Sequence, residues 1–228
     1  MVTKPAISPV SLQAVVVRTA DWQSPAAVIQ CYERKDEDAE WQVSGEMFPA
    51  AVGRNGMGWG QGIHPMSITD GPLKKEGDEK SPAGIFMLGS AFGYAPVEEV
   101  NWIKLPYRQA TKNLQCVDDV QSPYYNTIVD ANQVKRTWKS NEDLRRNDDL
   151  YRLAVVVEHN TSPVIAEQGS CIFLHIWDGS NTGTSGCTVM AAAQLEKLLH
   201  WLDAKALPVL VQLPEQEYMR FRSLWQLP

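Results

Sequence analysis

Residues 171–187 read Cys171-Ile-Phe-Leu-His175-Ile-Trp177-Asp-Gly-Ser-Asn-Thr-Gly-Thr184-Ser185-Gly186-Cys187. An apolar run passes through a histidine into a turn-rich segment and ends on a cysteine. In the first half, Cys171, Phe173, His175 and Trp177 fall on one face of a strand. Ile172, Leu174 and Ile176 fall on the other, which reads as core. The eleven residues between His175 and Cys187 are mostly Gly, Ser, Thr, Asn and Asp, the composition of a loop that folds back. Such a loop returns the Cys187 thiol to within hydrogen-bond reach of the His175 imidazole, and a neighbouring histidinium depresses a thiol pKa. Gly186 admits close approach of a substrate backbone. The amides around Gly186 and Cys187 are candidates to receive an oxyanion, the more so if they lead into the helix that follows. The same residue types also describe a buried cysteine after an ordinary turn beside a satisfied strand histidine. Residue types alone leave both readings open.

Working outward, Gln13 to Arg18 is a β-branched run that reads as a buried strand. Ala26 to Arg34 reads as a second strand, and the acidic stretch Lys35 to Glu40 as a hairpin loop into Trp41-Gln42-Val43. Ala50-Ala51-Val52 reads as another short strand. Gly53 to Gly62 holds five glycines and one tryptophan. No P-loop lysine accompanies them, so the stretch reads as a mobile surface loop. Lys74 to Phe86 reads as a charged turn entering a strand. Trp102 to Lys139 is aromatic-rich and irregular. Ser140 is a candidate cap for a short helix over 141–147, with Glu142 and Asp143 at its positive end. Leu153 to Val157 is an apolar run typical of a central strand. Leu195, Leu198, Leu199 and Leu202 recur at helical spacing. Pro208 to Leu213 reads as a strand, and Tyr218, Phe221 and Leu224 mark a closing helix. The sum is mainly β with packed α-helices, without the alternation of a Rossmann-type fold.

The chain has 228 residues and no evident linker, which predicts a single domain over 1–228, with 1–10 a flexible N-terminal segment. A domain of that size hides roughly 70–75% of its unfolded surface and needs no staples. A net charge of -6 and a pI near 5.3 argue against nucleic acid or anionic membrane as a primary partner. No apolar run reaches the roughly 20 residues of a membrane span. Met1 to Val10 lacks the basic start and apolar core of a secretory signal. It reads either as a cytoplasmic start or as that of an exported protein whose signal was removed. Four cysteines, Cys31, Cys116, Cys171 and Cys187, make no disulfide framework in a chain this long. With Cys187 a free nucleophile, Cys116 and Cys171 remain able to pair in an oxidising compartment.

Two segments resemble the YkuD-type L,D-transpeptidases, cysteine enzymes of the bacterial cell wall. Leu174-His175-Ile176 followed by Thr184-Ser185-Gly186-Cys187 resembles that family's signature, a strand histidine leading through a polar loop to Ser/Thr-His-Gly-Cys. Lys74 to Phe86 resembles its K-x-x-G-D-x-x-T-P-x-G-x-F stretch, with Ser81 at the threonine position. That second stretch reads as fold-determining, with no chemistry of its own. Ser185 replaces the signature's second histidine, the loop is short, and Thr188-Val189-Met190 follows where an Asn or Arg is common. These departures touch the pocket around the nucleophile and its base.

The resemblance implies a mixed β-sandwich of the L,D-transpeptidase catalytic type. It implies that Cys187 attacks the carbonyl of an L–D bond in a peptidoglycan stem peptide, with His175 as proton carrier and Gly186 beside the oxyanion. The acyl group would pass to an amine of another stem, giving a 3-3 or 1-3 crosslink, or to water, giving carboxypeptidase or endopeptidase activity. No cofactor is needed, and carbapenem-type β-lactams are expected to acylate the thiol. The family's setting is the periplasm or cell envelope. Ser185, Thr184, Trp177, His159 and Asn126 are candidates for substrate binding, and Tyr125 and Asp118 are further polar groups. His159 would lie near His175 if their strands pair. The rival readings are a non-catalytic wall-binding domain and a zinc module of Cys171, His175, His159 and Cys187.

Overall fold

A computed structural model describes residues 10–65, 70–179 and 183–228. Residues 1–9 of the expected N-terminal segment, and 180–182 in the polar loop, lie outside the described residues. Strands in chain order are β1 (Gln13–Thr19), β2 (Ala26–Glu33), β3 (Gln42–Ala51), β4 (Met57–Trp59), β5 (Ser81–Gly93), β6 (Tyr107–Gln109), β7 (Leu114–Val117) and β8 (Thr127–Asp130). There follow β9 (Glu142–Asp143), β10 (Leu153–Val157), β11 (Phe173–Ile176), β12 (Thr188–Met190) and β13 (Val209–Pro214). Helix among the described residues is limited to α1 (Ala192–Trp201), α2 (Glu215–Trp225) and two single 3-10 turns. The chain is therefore mostly β, with less helix than its sequence suggests.

The main sheet runs β10-β11-β12-β3-β2-β1-β13-β5-β4, and β10 also pairs with β5, so eight of these strands close on themselves. Closure removes the exposed edges that an open sheet of this length would carry. β1 lies between β2 and β13, and Ala14 to Val17 are at most 1% exposed, hence their unbroken apolar run. α1 rests on β10 and β11 through Leu195, Leu198 and Leu199, and α2 rests on β13 and β1. The second sheet, β8-β7-β9, is joined to the first by a disulfide between Cys116 on β7 and Cys171.

Three expectations change. The separate strands at Gln42 and Ala50 are one ten-residue strand, β3, whose pairing with β2 slips between Ile29 and Cys31 near Gly45 at φ 73°. A bulge interrupts the alternation by which a strand is recognised. Gly53 to Gly62 is no mobile surface loop: it contains β4, and Met57 and Trp59 are at most 3% exposed. Its glycines serve close packing. A Cβ on Gly56, at φ +76°, would stand 2.0 Å from the Trp22 carbonyl oxygen. Finally, 141–147 forms no helix. Glu142–Asp143 pairs with β7 instead, so tertiary pairing overrides the local cap signal.

Candidate active site

The polar loop returns because β12 runs parallel to β11, with Leu174 opposite Thr188. A parallel neighbour must start at the same end, so the chain travels back along β11 and sets Cys187 beside Phe173. The Phe173 N–H donates to the Cys187 Sγ at 3.3 Å. Cys187 leads into β12, with α1 beginning only at Ala192, so no helix terminus faces the thiol as the sequence suggested. Gly186, at φ +155°, takes a conformation closed to most side chains, and a Cβ there would come within 3.2 Å of Ile172 Cδ1. Its N–H donates to Thr184 Oγ1 at 3.0 Å, and the Thr184 hydroxyl donates to the Cys187 carbonyl at 2.5 Å. The Gly186 amide is thus spent on the turn, so of the two amides singled out for an oxyanion the Cys187 amide remains the candidate.

The Lys74 to Phe86 stretch forms the floor beneath this turn. The Ser81 hydroxyl donates to the Gly186 and Cys187 carbonyls at 2.7 and 3.2 Å and accepts the Gly53 N–H at 2.9 Å. Lys74 is 5% exposed. Its ammonium donates to Asp78 Oδ1 at 2.5 Å and to the Lys75 carbonyl at 2.7 Å. It lies 4.0 Å from the place a Gly186 Cβ would occupy. A buried cation there favours the Cys187 thiolate. The stretch therefore contributes charge to the site as well as shape.

Burial dominates the titration of both central groups. It pushes the Cys187 thiol well above its ordinary value, and Glu142 pushes the same way, against the Phe173 N–H, Tyr151 and Lys74. Burial brings the His175 imidazole down to about 4, opposed by the Ile176 carbonyl. The resting pair is thus thiol and neutral imidazole, where proximity alone suggested thiolate and imidazolium. His175 Nδ1 contacts the Ile176 carbonyl oxygen at 2.8 Å. A carbonyl only accepts, so Nδ1 carries the proton and Nε2 keeps a lone pair for use as a base.

Cys187 and His175 line one cavity of about 1480 Å³, together with Gly186, Ser185, Thr184 and Trp177. Ser185 is exposed and Trp177 half-buried at its margin. Asp118 reaches this cavity too. Two candidates do not. In the antiparallel β10–β11 pair, Ala154 faces His175, which carries His159 beyond the far end of β11. There its Nε2 contacts the Gln168 carbonyl oxygen at 2.9 Å. Asn126 donates to the His159 and Asn160 carbonyls and accepts the Cys171 N–H, so it braces the chain behind the cavity. The Tyr125 hydroxyl donates to Glu76 at 2.5 Å. The zinc reading fails. Cys171 is disulfide-bonded and has no thiolate to offer a metal, while His159 lies outside the cavity that the Cys187 thiol lines.

Sequence reasoning missed Tyr151, Glu142 and Lys74 as members of the site. Tyr151 is 3% exposed, donates to the Glu142 carboxylate and sets its ring edge-on to His175, with centroids 4.8 Å apart. Burial holds the Glu142 carboxyl above its ordinary value. Only the pairing of β9 with β7 brings this carboxylate to the cysteine; nothing local in the sequence signals it.

The family model for YkuD, described as L,D-transpeptidase catalytic domain, matches residues 40–211. No curated protein matches the chain. Among solved structures the chain is similar to the helical cell shape determining protein Pgp2 from Campylobacter jejuni. The identity is 18% and the TM-score 0.43, over 90% of this chain and 51% of that one. The chain thus spans about half the length of that protein. With most of its length matched, strand, turn and cysteine included, the chain belongs to the YkuD family of L,D-transpeptidase catalytic domains.

Proposed function

We propose that the protein is a peptidoglycan L,D-transpeptidase in which Cys187 is the nucleophile and His175 the proton carrier. The observation that carries this reading is the convergence of the two side chains on one large cavity inside the matched family domain. Its volume of about 1480 Å³ exceeds the roughly 300–1,000 Å³ of ordinary small-molecule pockets and suits a peptide strand. Because the site rests as neutral thiol and imidazole, proton removal accompanies attack. Sγ bonds to the carbonyl carbon of the L-residue as its proton passes to His175 Nε2. The Cys187 N–H steadies the oxyanion. The C–N bond then breaks, His175 returns the proton to the leaving amine, and a thioester remains. An amine of a second stem attacks the thioester, yields its proton to His175 and restores the thiol. The Cys116–Cys171 disulfide supports a setting in the cell envelope, where such bonds persist.

The test is incubation of the protein and of Cys187→Ala with purified muropeptides, with the products read by mass spectrometry. Dimers made only by the unaltered protein are expected, and fragmentation then identifies L-Ala or the diamino acid as donor. Shortened monomers in their place would make water the acceptor. Unchanged tetra- and pentapeptides would overturn the enzyme reading. A carbapenem is expected to add covalently to the protein and to leave Cys187→Ala unmodified.

A further inference from the structure

The hydroxyl of Tyr151 has two neighbours in the site and a single hydrogen to share between them. It donates to Glu142 on β9, while the Cys187 thiol is packed into the same buried cluster and cavity wall. The ring is held edge-on by Phe92, Phe173 and His175, with centroids 5.7, 5.7 and 4.8 Å away, and the Arg146 guanidinium stands 5.2 Å above it. A ring so confined does not swing away, so only the hydroxyl hydrogen is free to turn. As the thiol gives its proton to His175, the new thiolate becomes the stronger acceptor.

We propose that Tyr151 is a third catalytic group of this site: its hydroxyl turns from Glu142 to the Cys187 sulfur as the thiolate forms, and Glu142 is the positioning residue that holds it ready. The hydroxyl keeps its own proton throughout; the thiol proton goes to His175 alone. The inference rests on the reading of Cys187 as nucleophile. Glu142 has two opposed effects. Its carboxylate aims the tyrosine, but its negative charge also disfavours a second negative charge on sulfur. The other charged groups facing the pair are Lys74, which favours the thiolate, Asp118 and Glu76, which crowd Glu142, and Arg146, which offsets them. Arg146 and Asp148 act on His175 from the same wall.

The experiment is the pH dependence of iodoacetamide alkylation at Cys187, followed by peptide mass mapping so that Cys31 is counted separately. It needs no substrate, so a failure to cross-link muropeptides would sink the proposed function without touching this result. Tyr151→Phe keeps the ring and loses the donor. Alkylation near neutral pH is expected to slow about tenfold, with the profile displaced to higher pH. Glu142→Gln keeps an acceptor for the hydroxyl and loses the charge, so alkylation is expected to quicken and the profile to move to lower pH. Opposite displacements distinguish a hydroxyl acting on sulfur from a merely structural pair, which would move both variants alike. If Tyr151→Phe fails to fold for want of a partner for Glu142, the double variant is compared with Glu142→Gln and should be slower. A Tyr151→Phe profile that overlays the unaltered protein, displacements of the same sign, or a double variant as fast as Glu142→Gln would overturn the proposal.

Discussion

At the scale of single residues, the chemistry depends on a proton that has not yet moved. The Cys187 thiol lies above its ordinary pKa and the His175 imidazole near 4, both through burial. A preformed thiolate–imidazolium pair would alkylate readily at mildly acidic pH. Here the rate with iodoacetamide is expected to keep rising beyond about pH 8.5, the ordinary thiol value. A plateau below neutrality would contradict the thiol–imidazole resting state. His175→Ala removes the proposed base and is expected to slow thioester formation about 10²- to 10⁴-fold in single-turnover measurements. A rate within twofold of the unaltered enzyme would show that another group takes the proton.

At the scale of elements, the site is assembled from pieces distant in sequence that are fastened to one another. The disulfide joins β7 to the segment before β11, and β7 in turn carries β9 with Glu142. It closes a loop with a sequence separation of 55, for which chain entropy suggests about 4 kcal/mol of stabilisation. Replacing Cys116 and Cys171 by Ala is expected to lower the urea midpoint and to slow carbapenem acylation, because one wall of the cavity loosens. A loss of stability with unchanged acylation would show the three-stranded sheet to be a passive cover. Lys74 and Asp78 make a second fastening, with side chains 3% and 16% exposed. Lys74→Met leaves Asp78 without its cation and is expected to cost roughly 3 kcal/mol, read from the denaturant midpoint. An unchanged midpoint would mean that the backbone N–H groups of Lys75 and Lys80 suffice for Asp78.

At the scale of the whole molecule, three histidines sit within the closed sheet or on its wall. His64, His159 and His175 are 4%, 1% and 7% exposed, and burial takes each down to about 4. In the unfolded chain such rings titrate near 6.5. Between about 6.5 and 4 the unfolded state therefore binds more protons, and stability falls as the pH falls through that window. At its acid end each ring contributes a loss on the order of 3 kcal/mol. Urea unfolding at about pH 7.5 and pH 4.5 should show a clearly lower midpoint in acid. Equal midpoints would mean that these rings stay protonated, or exposed, in the folded state.

Much of this architecture was legible along the chain. Val15 to Val17, Leu153 to Val157 and the leucines of α1 announce their elements because each pattern depends only on neighbours along one strand or helix face. The histidine, the turn and the cysteine were readable for the same reason, being parts of one continuous segment. What neighbours in sequence do not encode is which strand lies beside which. That choice decided that Cys187 meets Phe173, that His159 and Asn126 stand behind the cavity, and that residues 141–147 supply a strand where a helix was signalled. It also decided the titration of the site, since desolvation comes from every element packed around a group and from no stretch of sequence alone. The sequence by itself put forward Cys187 and His175 as candidate nucleophile and base; tertiary structure decided their burial, and with it their titration, and brought Tyr151, Glu142 and Lys74 to them.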